Sequence, residues 1–449
     1  MLGGIAWPPA AQAGGGPDGA KPVVSAQPAD VRALQPVQEA YALLLERYAV
    51  PLDPAAVTEA AEGGMVAALD AAGVADPGPG LVVFGNDADQ QWAGLRQRFL
   101  ALAARYGDVI APSALEYAAI KGMAESTDDA HTNFITPEQF AEHQRWEQGD
   151  VGYAGIGARM RGPQPTIVEV FPDTPAERAG LRPGDVIVAV NGQSTAELRL
   201  DEVIDLVRGP VGSSVALGVQ RAGTDQVDEV TLARAQVATP FVTSRRLPGN
   251  LGYVQLRGFP EPSVVEGVER AILEHERSGV SGIVLDLRGN GGGRLDVGSR
   301  LLARFIPDGP IYQAVDRQGN KETVNVQGAR PILTVPLAVL IDEGTASMGE
   351  VFAAAIQEHG VGRVIGTTSA GAVAASVFRP LSDGSALQLS VELVYSGGGA
   401  LLDKVGVHPD DEVELDLTAL RQGHDVQLEH ATGYLRQQAA EPVLTAAGG

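Results

Sequence analysis

Two buried runs, each followed by a turn and a helix, define the fold class of residues about 238–415. The runs 282–287 and 335–341 are almost wholly apolar, and apolar residues then recur at helical spacing after each of them. This alternation predicts a mixed α/β layer. In such layers functional sites lie at the carboxyl ends of the strands, so the two turns are the first candidates for chemistry.

The rest of the chain divides by texture into four segments. Residues 1–30 are rich in Ala, Gly and Pro without periodicity, which predicts a disordered tail. Apolar residues at helical spacing predict a helical domain over residues 31–148, and a final helix and tail over residues 416–449. Residues 152–237 carry short strands and two short helices. A length of 449 residues agrees with a multidomain α+β and α/β chain of about three domains.

Charge and composition exclude several classes of function. Lys and Arg number 33 and Asp and Glu number 56, so the net charge is −23. Nucleic-acid binding is disfavoured because no basic surplus exists to contact phosphates. The absence of Cys removes disulfides, thiol nucleophiles and Cys-ligated metal centres. No stretch reaches the ~18 apolar residues that an integral membrane segment needs.

The N-terminal tail carries one targeting-like pattern. Ala11-Gln12-Ala13 follows a short apolar stretch, as at the end of a signal peptide, although no basic residue precedes it. The two interpretations are a truncated export signal and a plain tail. The first predicts an extracytoplasmic location, in the periplasm, in the cell envelope or outside the cell, and the alternative is a cytoplasmic one.

Residues 174–192 have a dense set of turn and capping signals. Thr174 is a helix N-cap, Pro175 stands at the first helical position and Gly180 ends the helix. A turn at 183–185 leads into an apolar strand, and Asn191-Gly192 is a hairpin turn. Strands of this length around two short helices predict a small, partly open barrel.

This stretch closely resembles a PDZ domain, which implies peptide binding. PDZ domains bind peptides by strand addition, and the backbone N–H groups of a Gly-rich loop hold the terminal carboxylate. By this resemblance the peptide-binding loop consists of Gly155, Ile156, Gly157 and Ala158. The alternative is that Gly155 and Gly157 serve only a tight turn.

The two turns of the α/β layer contain the parts of an acyl-transfer site. Ser347 lies in the first turn of a helix, where free N–H groups and the positive helix end favour an oxyanion. The glycines 291–293 end the neighbouring strand, where a missing Cβ permits close approach. A nucleophile beside an oxyanion hole is typical of acyl transfer. Taken alone, Ser347 also fits an ordinary helix-terminal serine.

The span from about residue 35 to 437 resembles the carboxy-terminal processing peptidases, also called tail-specific proteases. Five stretches match the family's motifs in the family's order, with a PDZ domain after the first. They are residues 129–138 (DAHTNFITPE, like DPHSxYLTPE), 285–293 (LDLRGNGGG, like LDLRNNPGG), 342–350 (DEGTASMGE, like NEGSASASE), 380–386 (PLSDGSA, like PLPDGSA) and 406–410 (GVHPD, like GIxPD).

The resemblance implies a serine-type endopeptidase with a mixed α/β core of the ClpP/crotonase-like kind. Ser347 is then the nucleophile, and the N–H groups of Met348 and of Gly292 or Gly293 form the oxyanion hole. The substrates are proteins or peptides, and the PDZ domain takes part in selecting them. One form of this selection is recognition of the substrate's C-terminus. No cofactor and no metal are expected.

The chain departs from the family at the residue that activates the serine. Processing peptidases use a lysine in GTKTFGKGSVQ, whereas residues 366–376 read GTTSAGAVAAS. Ala372 takes the lysine position and Ser376 the glutamine position, and no lysine lies between Lys321 and Lys404. An alanine cannot accept a proton, so a Ser–Lys dyad of the usual kind is excluded.

Tricorn-type peptidases, which share this domain order, use Ser, His and an acid instead. Their histidine precedes the PDZ domain, as His131 does here, and their acid lies in an ENxGVxPD segment that residues 403–410 (DKVGVHPD) resemble. By this resemblance His131 accepts the Ser347 proton and Asp403 orients the imidazole. The alternative for His131 is a structural hydrogen bond at a domain junction. The alternative for the whole chain is a catalytically inactive, peptide-binding pseudoprotease.

Overall fold

The computed structural model describes residues 34–440 except residues 79, 81–86, 148–152 and 238–239. The predicted tail over residues 1–30 lies outside this part of the chain. Within the described residues, no helix combines the length and the apolarity needed to cross a membrane.

Among the described residues, four helices before residue 126 form the N-terminal domain, and two of them pack unusually closely. The helices are α1 (Gln35–Arg47), α2 (Pro54–Ala71), α3 (Ala88–Tyr106) and α4 (Pro112–Glu125). A Cβ on Gly64 would lie 2.2 Å from the carbonyl oxygen of Ala118, and a Cβ on Gly122 would lie 2.3 Å from that of Ala60. The two glycines therefore allow the backbones of α2 and α4 to touch.

The prediction that residues 31–148 are helical is wrong over one short stretch. Residues Asn133–Ile135 form strand β1, which pairs antiparallel with a strand of the peptidase core and places Phe134 opposite Leu387. Helix α5 (Pro137–Glu147) follows it. The N-terminal domain is thus joined to the core by backbone hydrogen bonds, and its apolar core includes Leu387 and Leu389.

The PDZ segment forms a small sheet with two helices. Its elements are β2 (Tyr153–Gly155), β3 (Ala158–Arg161), β4 (Thr166–Val170), α6 (Pro175–Arg178), β5 (Val186–Val190), β6 (Gln193–Ser194), α7 (Leu200–Val207), β7 (Ser214–Gln220), β8 (Val227–Ala233) and β9 (Ala235–Val237). The sheet order is β3-β4-β5-β7-β8, with β6 on β5, and β2 pairs with β9. Strand β3 is therefore an edge strand. Strands β8 and β9 follow β7 and end the segment.

The peptidase core contains two sheets. Its elements are β10 (Val242–Leu247), β11 (Leu251–Leu256), α8 (Ser263–Arg277), β12 (Ile283–Asp286), α9 (Leu295–Leu302), β13 (Gly309–Asp316), β14 (Lys321–Val326), β15 (Leu337–Ile341), α10 (Met348–Glu358), β16 (Arg363–Gly366), β17 (Ala374–Pro380), β18 (Ala386–Ser396), β19 (Asp411–Glu412), α11 (Leu417–Arg421) and α12 (Val426–Ala440). One sheet has the order β10-β11-β12-β15-β16-β19 and the other β1-β18-β13-β14, with β17 on β18.

The first sheet is parallel from β11 to β19, and both of its faces are covered. Side chains of one face pack with α8, α9, α10 and the second sheet in the largest apolar cluster. Those of the other face, including Val284 and Leu340, pack against Ala431 and Leu435 of α12. Burial on both faces explains why β12 and β15 read as continuous apolar runs. Since β12 and β15 are parallel neighbours, the turns that follow them meet at one edge of the sheet.

Candidate active site

The turn after β12 and the turn after β15 are joined by backbone contacts. The N–H of Gly289 donates to Asp342 Oδ1 at 2.7 Å, and the N–H of Ala346 donates to the carbonyl of Asn290 at 2.9 Å. Both Asp342 and Asn290 are buried. The structure therefore brings together the two turns that the sequence marks as the candidate site.

Ser347 has an unfavourable backbone conformation at the start of α10. Its φ is 53° and its ψ is −123°, a combination that costs free energy for any residue with a Cβ. A Cβ on Gly292 would lie 2.6 Å from the Cβ of Ser347, so the facing position accepts only glycine. A strained serine at a strand-to-helix turn is typical of a nucleophile held exposed for attack.

Two backbone N–H groups beside Ser347 are free to bind an oxyanion. Within the described residues, neither Gly293 nor Met348 has a partner for its N–H. The N–H of Gly292 instead donates to Asn290 Oδ1 at 2.9 Å. Of the two glycines suggested for an oxyanion hole, Gly293 is thus the one with an available donor.

Sequence reasoning missed Glu350, which is fully buried on the first turn of α10. Its carboxylate accepts from the Ser347 and Ala372 N–H groups at 3.0 Å each, from the Gly371 N–H at 2.8 Å and from Ser369 Oγ at 2.6 Å. Burial raises the pKa of Glu350, and these donors lower it part of the way back. The available signal was an acid three residues after Ser347, a capping-box position.

The structure places Ala372, which the motif comparison aligned with the family's lysine, next to Ser347. The carbonyl of Ala372 accepts the N–H of Ser347 at 2.9 Å. A lysine does contact this segment, because the N–H of Lys404 donates to Gly371 at 2.6 Å. However, its ammonium group binds Asp128 at 2.5 Å, and this hydrogen bond raises the pKa of Lys404. Lys404 therefore stays protonated at neutral pH and is unsuited to act as a base.

His131 and Asp403 lie close enough for the charge of one to affect the other, and Asp403 contacts the segment that contains Ala372. Burial and the nearby Asp129 raise the pKa of Asp403, while a hydrogen bond from the Val373 N–H and the charge of His131 lower it. His131 Nδ1 is buried without a hydrogen-bond partner among the described residues and lies 4.0 Å from Asp129 Oδ1. No hydrogen bond joins His131 to Asp403 or to Ser347 within the described part of the chain.

The predicted peptide-binding loop lines a groove of about 280 Å³ between β3 and α7. The carbonyl of Ile156 accepts the Ala176 N–H at 2.7 Å, and that of Gly157 accepts the Phe171 N–H at 2.9 Å. Gly157 has a φ of 84°, and a Cβ there would lie 2.3 Å from the Cβ of Thr174. The free edge of β3 and this fixed loop together form the type of surface that binds a peptide as an added strand.

Strand β3 also contacts the back of the active-site turns. Arg161 pairs with Asp342 at 2.8 Å and with Glu343 at 2.5 Å. Arg159 Nη1 donates to the carbonyl of Arg288 at 3.2 Å. The PDZ domain and the turns that carry Ser347 and the glycines are therefore in direct contact.

Fold and site together define the class of protein: a serine hydrolase with an attached PDZ domain. Comparison with known proteins agrees, because residues 250–413 match peptidase family S41 and residues 166–221 match a PDZ domain. The carboxyl-terminal-processing protease of Synechocystis is 30% identical, over 77% of this chain and 81% of that protein. The chain therefore belongs to peptidase family S41, the carboxy-terminal processing proteases, and is a serine peptidase.

Two further comparisons support this family assignment. The carboxy-terminal processing protease CtpA of Bacillus subtilis is 33% identical over 300 residues, which is 66% of this chain and 63% of that protein. The solved structure of the photosystem II D1 C-terminal processing protease superposes with a TM-score of 0.55 and 26% identity. The superposition covers 92% of this chain and 98% of the D1 processing protease chain.

Proposed function

We propose that the protein is an active endopeptidase in which Ser347, His131 and Asp403 form the catalytic triad. The observation that carries this proposal is Ser347 itself, held at a φ of 53° beside the unpartnered N–H groups of Gly293 and Met348. Such a conformation persists only where surrounding contacts maintain it, and it is frequent at active sites.

The proposed reaction follows the chemistry of acyl transfer. His131 removes the proton of Ser347 as Oγ attacks the substrate carbonyl, and the N–H groups of Gly293 and Met348 stabilise the oxyanion. His131 then returns the proton to the leaving amine, and a water molecule activated in the same way releases the acyl group. Asp403 orients the imidazole and stabilises its charged form.

Substrate binding completes the triad in this proposal. His131 Nδ1 is buried and unpartnered, and the charge of His131 lowers the pKa of Asp403, so the two side chains act on each other before they are hydrogen-bonded. We propose that residues 129–131 move toward the segment 371–373 when substrate binds. Catalytic hydrogen bonds are often long in the absence of substrate and shorten when it binds. The direct test is hydrolysis of casein or a tailed peptide by the wild type, Ser347→Ala and His131→Ala. Equal residual cleavage by all three would favour the peptide-binding pseudoprotease.

The PDZ groove selects protein substrates in this proposal, through their C-termini. Gly157→Ala is expected to weaken binding of a peptide with a free C-terminus about tenfold or more, because the new methyl group meets Thr174 at a positive φ. Gly192→Ala is the matched control, since Gly192 also has a positive φ, 81°, but lies between β5 and β6 outside the groove, and a Cβ there meets nothing within 4 Å. Isothermal titration calorimetry with the tailed peptide and its C-terminal amide gives both affinities. Equal affinities for the two variants would contradict the assignment of the loop.

The pH dependence of hydrolysis tests Asp403. Since burial and the Asp129 charge raise the pKa of Asp403, it protonates on acidification before an ordinary aspartate does. Once protonated, it no longer stabilises the imidazolium, so kcat/KM falls on the acid side. Asp129→Asn removes the like charge and is expected to move this acid limb to lower pH. A profile of kcat/KM against pH checks this, and an acid limb that stays in place would contradict the role of Asp403.

An extracytoplasmic location is a further part of the proposal. It rests on the Ala11-Gln12-Ala13 pattern and on a relative from Tetradesmus obliquus whose name places it in the chloroplast. A fusion of residues 1–33 to a reporter that is active only after export tests it. Retention of the reporter in the cytoplasm would contradict the export signal.

A further inference from the structure

The turn that carries Gly293 has little intrinsic rigidity. Gly289, Gly292 and Gly293 have φ values of 68°, 93° and 136°, which suit glycine but leave the unfolded chain many alternatives. A backbone of this kind holds one shape only where neighbouring side chains fix it. The N–H of Gly293 can bind an oxyanion only if the turn keeps this shape.

Arg288, at the start of the turn, is fixed by a network of charged groups. Its guanidinium group binds Asp286 at 2.7 Å, and it binds Asp425 through two hydrogen bonds of 3.0 and 2.9 Å. Gln427 Oε1 accepts a further hydrogen bond at 3.1 Å. The Arg288 side chain is only 13% exposed. Asp425 and Gln427 thus supply three of the bonds that hold a largely buried cation.

Asp425 belongs to the C-terminal segment, which lies outside the stretch that matches the peptidase family. It caps α12 by accepting the N–H of Leu428 at 3.0 Å, and Gln427 Nε2 donates to the carbonyl of Val413 at 2.8 Å. Leu435, further along α12, is fully buried against the parallel sheet. Helix α12 is therefore held by hydrogen bonds at its N-terminal end and by apolar packing at Leu435.

We propose that Asp425 is a positioning residue for catalysis: through Arg288 it holds the oxyanion turn so that the Gly293 N–H faces the reacting carbonyl. This inference rests on the proposed function, in which Gly293 and Met348 stabilise the oxyanion. Without Asp425, the largely buried Arg288 side chain loses two hydrogen bonds and moves to recover them. The turn that follows is bonded to Asp342 and Phe259, so a displaced Arg288 shifts these contacts and, with them, the direction of the Gly293 N–H.

The expected effect falls on the transition state rather than on substrate binding. Asp425→Asn should lower kcat for a tailed peptide about 10- to 100-fold, while KM stays within about twofold. This loss of kcat is no larger than the loss expected when an oxyanion donor itself is removed. A peptide aldehyde, whose adduct with Ser347 carries an oxyanion, should bind more weakly by a similar factor. Asp425→Glu, which keeps the charge, should restore part of kcat.

The matched control is Asp411→Asn, on β19 at the far edge of the same sheet. Asp411 binds Arg363 at 2.5 Å and is 22% exposed, against 24% for Asp425. Its loss breaks a comparable ion pair without touching the turn, so kcat should stay at the wild-type value. Gln427→Leu removes a single hydrogen bond to Arg288 and should also lower kcat, by a smaller factor than Asp425→Asn does. This second variant provides the test if Asp425→Asn folds poorly.

The outcomes separate this inference from the proposed function. A kcat of Asp425→Asn and Gln427→Leu within about twofold of wild type, with Ser347→Ala inactive, overturns the role of Asp425 and leaves the triad standing. Equal losses of kcat in Asp411→Asn and Asp425→Asn also overturn it, since general destabilisation then explains both. Activity retained in Ser347→Ala contradicts the proposed function itself.

Discussion

Ser347→Ala is expected to lower kcat/KM for peptide hydrolysis by roughly 1,000-fold or more, and His131→Ala by a similar factor. The alanine at position 347 has no Oγ to attack the carbonyl, and without His131 the Oγ keeps its proton. Since the two residues act in one step, the double variant should be no slower than either single variant. Initial rates with a fluorogenic tailed peptide measure all three.

The control for His131 is another histidine of the same chain. His430, on α12, binds Asp411 at 3.1 Å and is partly exposed, so His430→Ala should hydrolyse the peptide at the wild-type rate. If His131→Ala keeps wild-type activity while Ser347→Ala is inactive, the general base is another group. If the wild type itself is inactive and Ala372→Lys gains activity, the chain is the pseudoprotease that its missing lysine suggests.

Glu350→Ala is expected to lose both stability and activity. Four donors would be left in a fully buried place without their acceptor, which costs roughly 2–4 kcal/mol of unfolding free energy. The same bonds hold the Ser347 N–H and the residues 369–372 in register. We therefore expect kcat to fall about 10-fold or more even well below the melting temperature. Urea unfolding and initial rates measure the two effects separately.

Glu358 provides the matched control on the same helix. Its carboxylate accepts from Ser396 Oγ at 2.5 Å and from the Gly398 N–H at 2.9 Å, at the end of α10 remote from Ser347. Glu358→Ala should lose some stability and keep the wild-type kcat. A Glu350→Ala variant that is destabilised but fully active would show that Glu350 serves the fold alone.

Much of the fold could be predicted because its signals are local. The apolar runs of β12 and β15, the cap at Thr174 and the turn at Asn191-Gly192 each report their own neighbourhood within a few residues. The structure confirms them: Thr174 Oγ1 accepts the Glu177 N–H, and Asn191 and Gly192 have φ values of 49° and 81°. Strand β1 was missed because it has only three residues and its partner, β18, lies far away in the sequence.

The candidate site was predictable in part, for the same reason. Ser347 and the glycines of the first turn lie in local strand–turn–helix patterns, and Ala372 was visible as a departure from a motif. Three of the four donors on Glu350, from Ser369, Gly371 and Ala372, lie 19 to 22 positions further along the chain, so their contact depends on how two separate turns meet. No local pattern contains that information.

The sequence, through its motifs and their resemblance to known families, identified Ser347 as the candidate nucleophile, the missing lysine and the PDZ domain. Each of these is a local pattern of residues, so it can be recognised before the chain is folded. The parallel pairing of β12 with β15 brought the turn that holds Gly293 beside Ser347, and the packing of α12 brought Asp425 to Arg288 across 137 positions. Hydrogen bonds have a range of about 3 Å. Partners so far apart in sequence become partners only when the sheet and its covering helices are assembled.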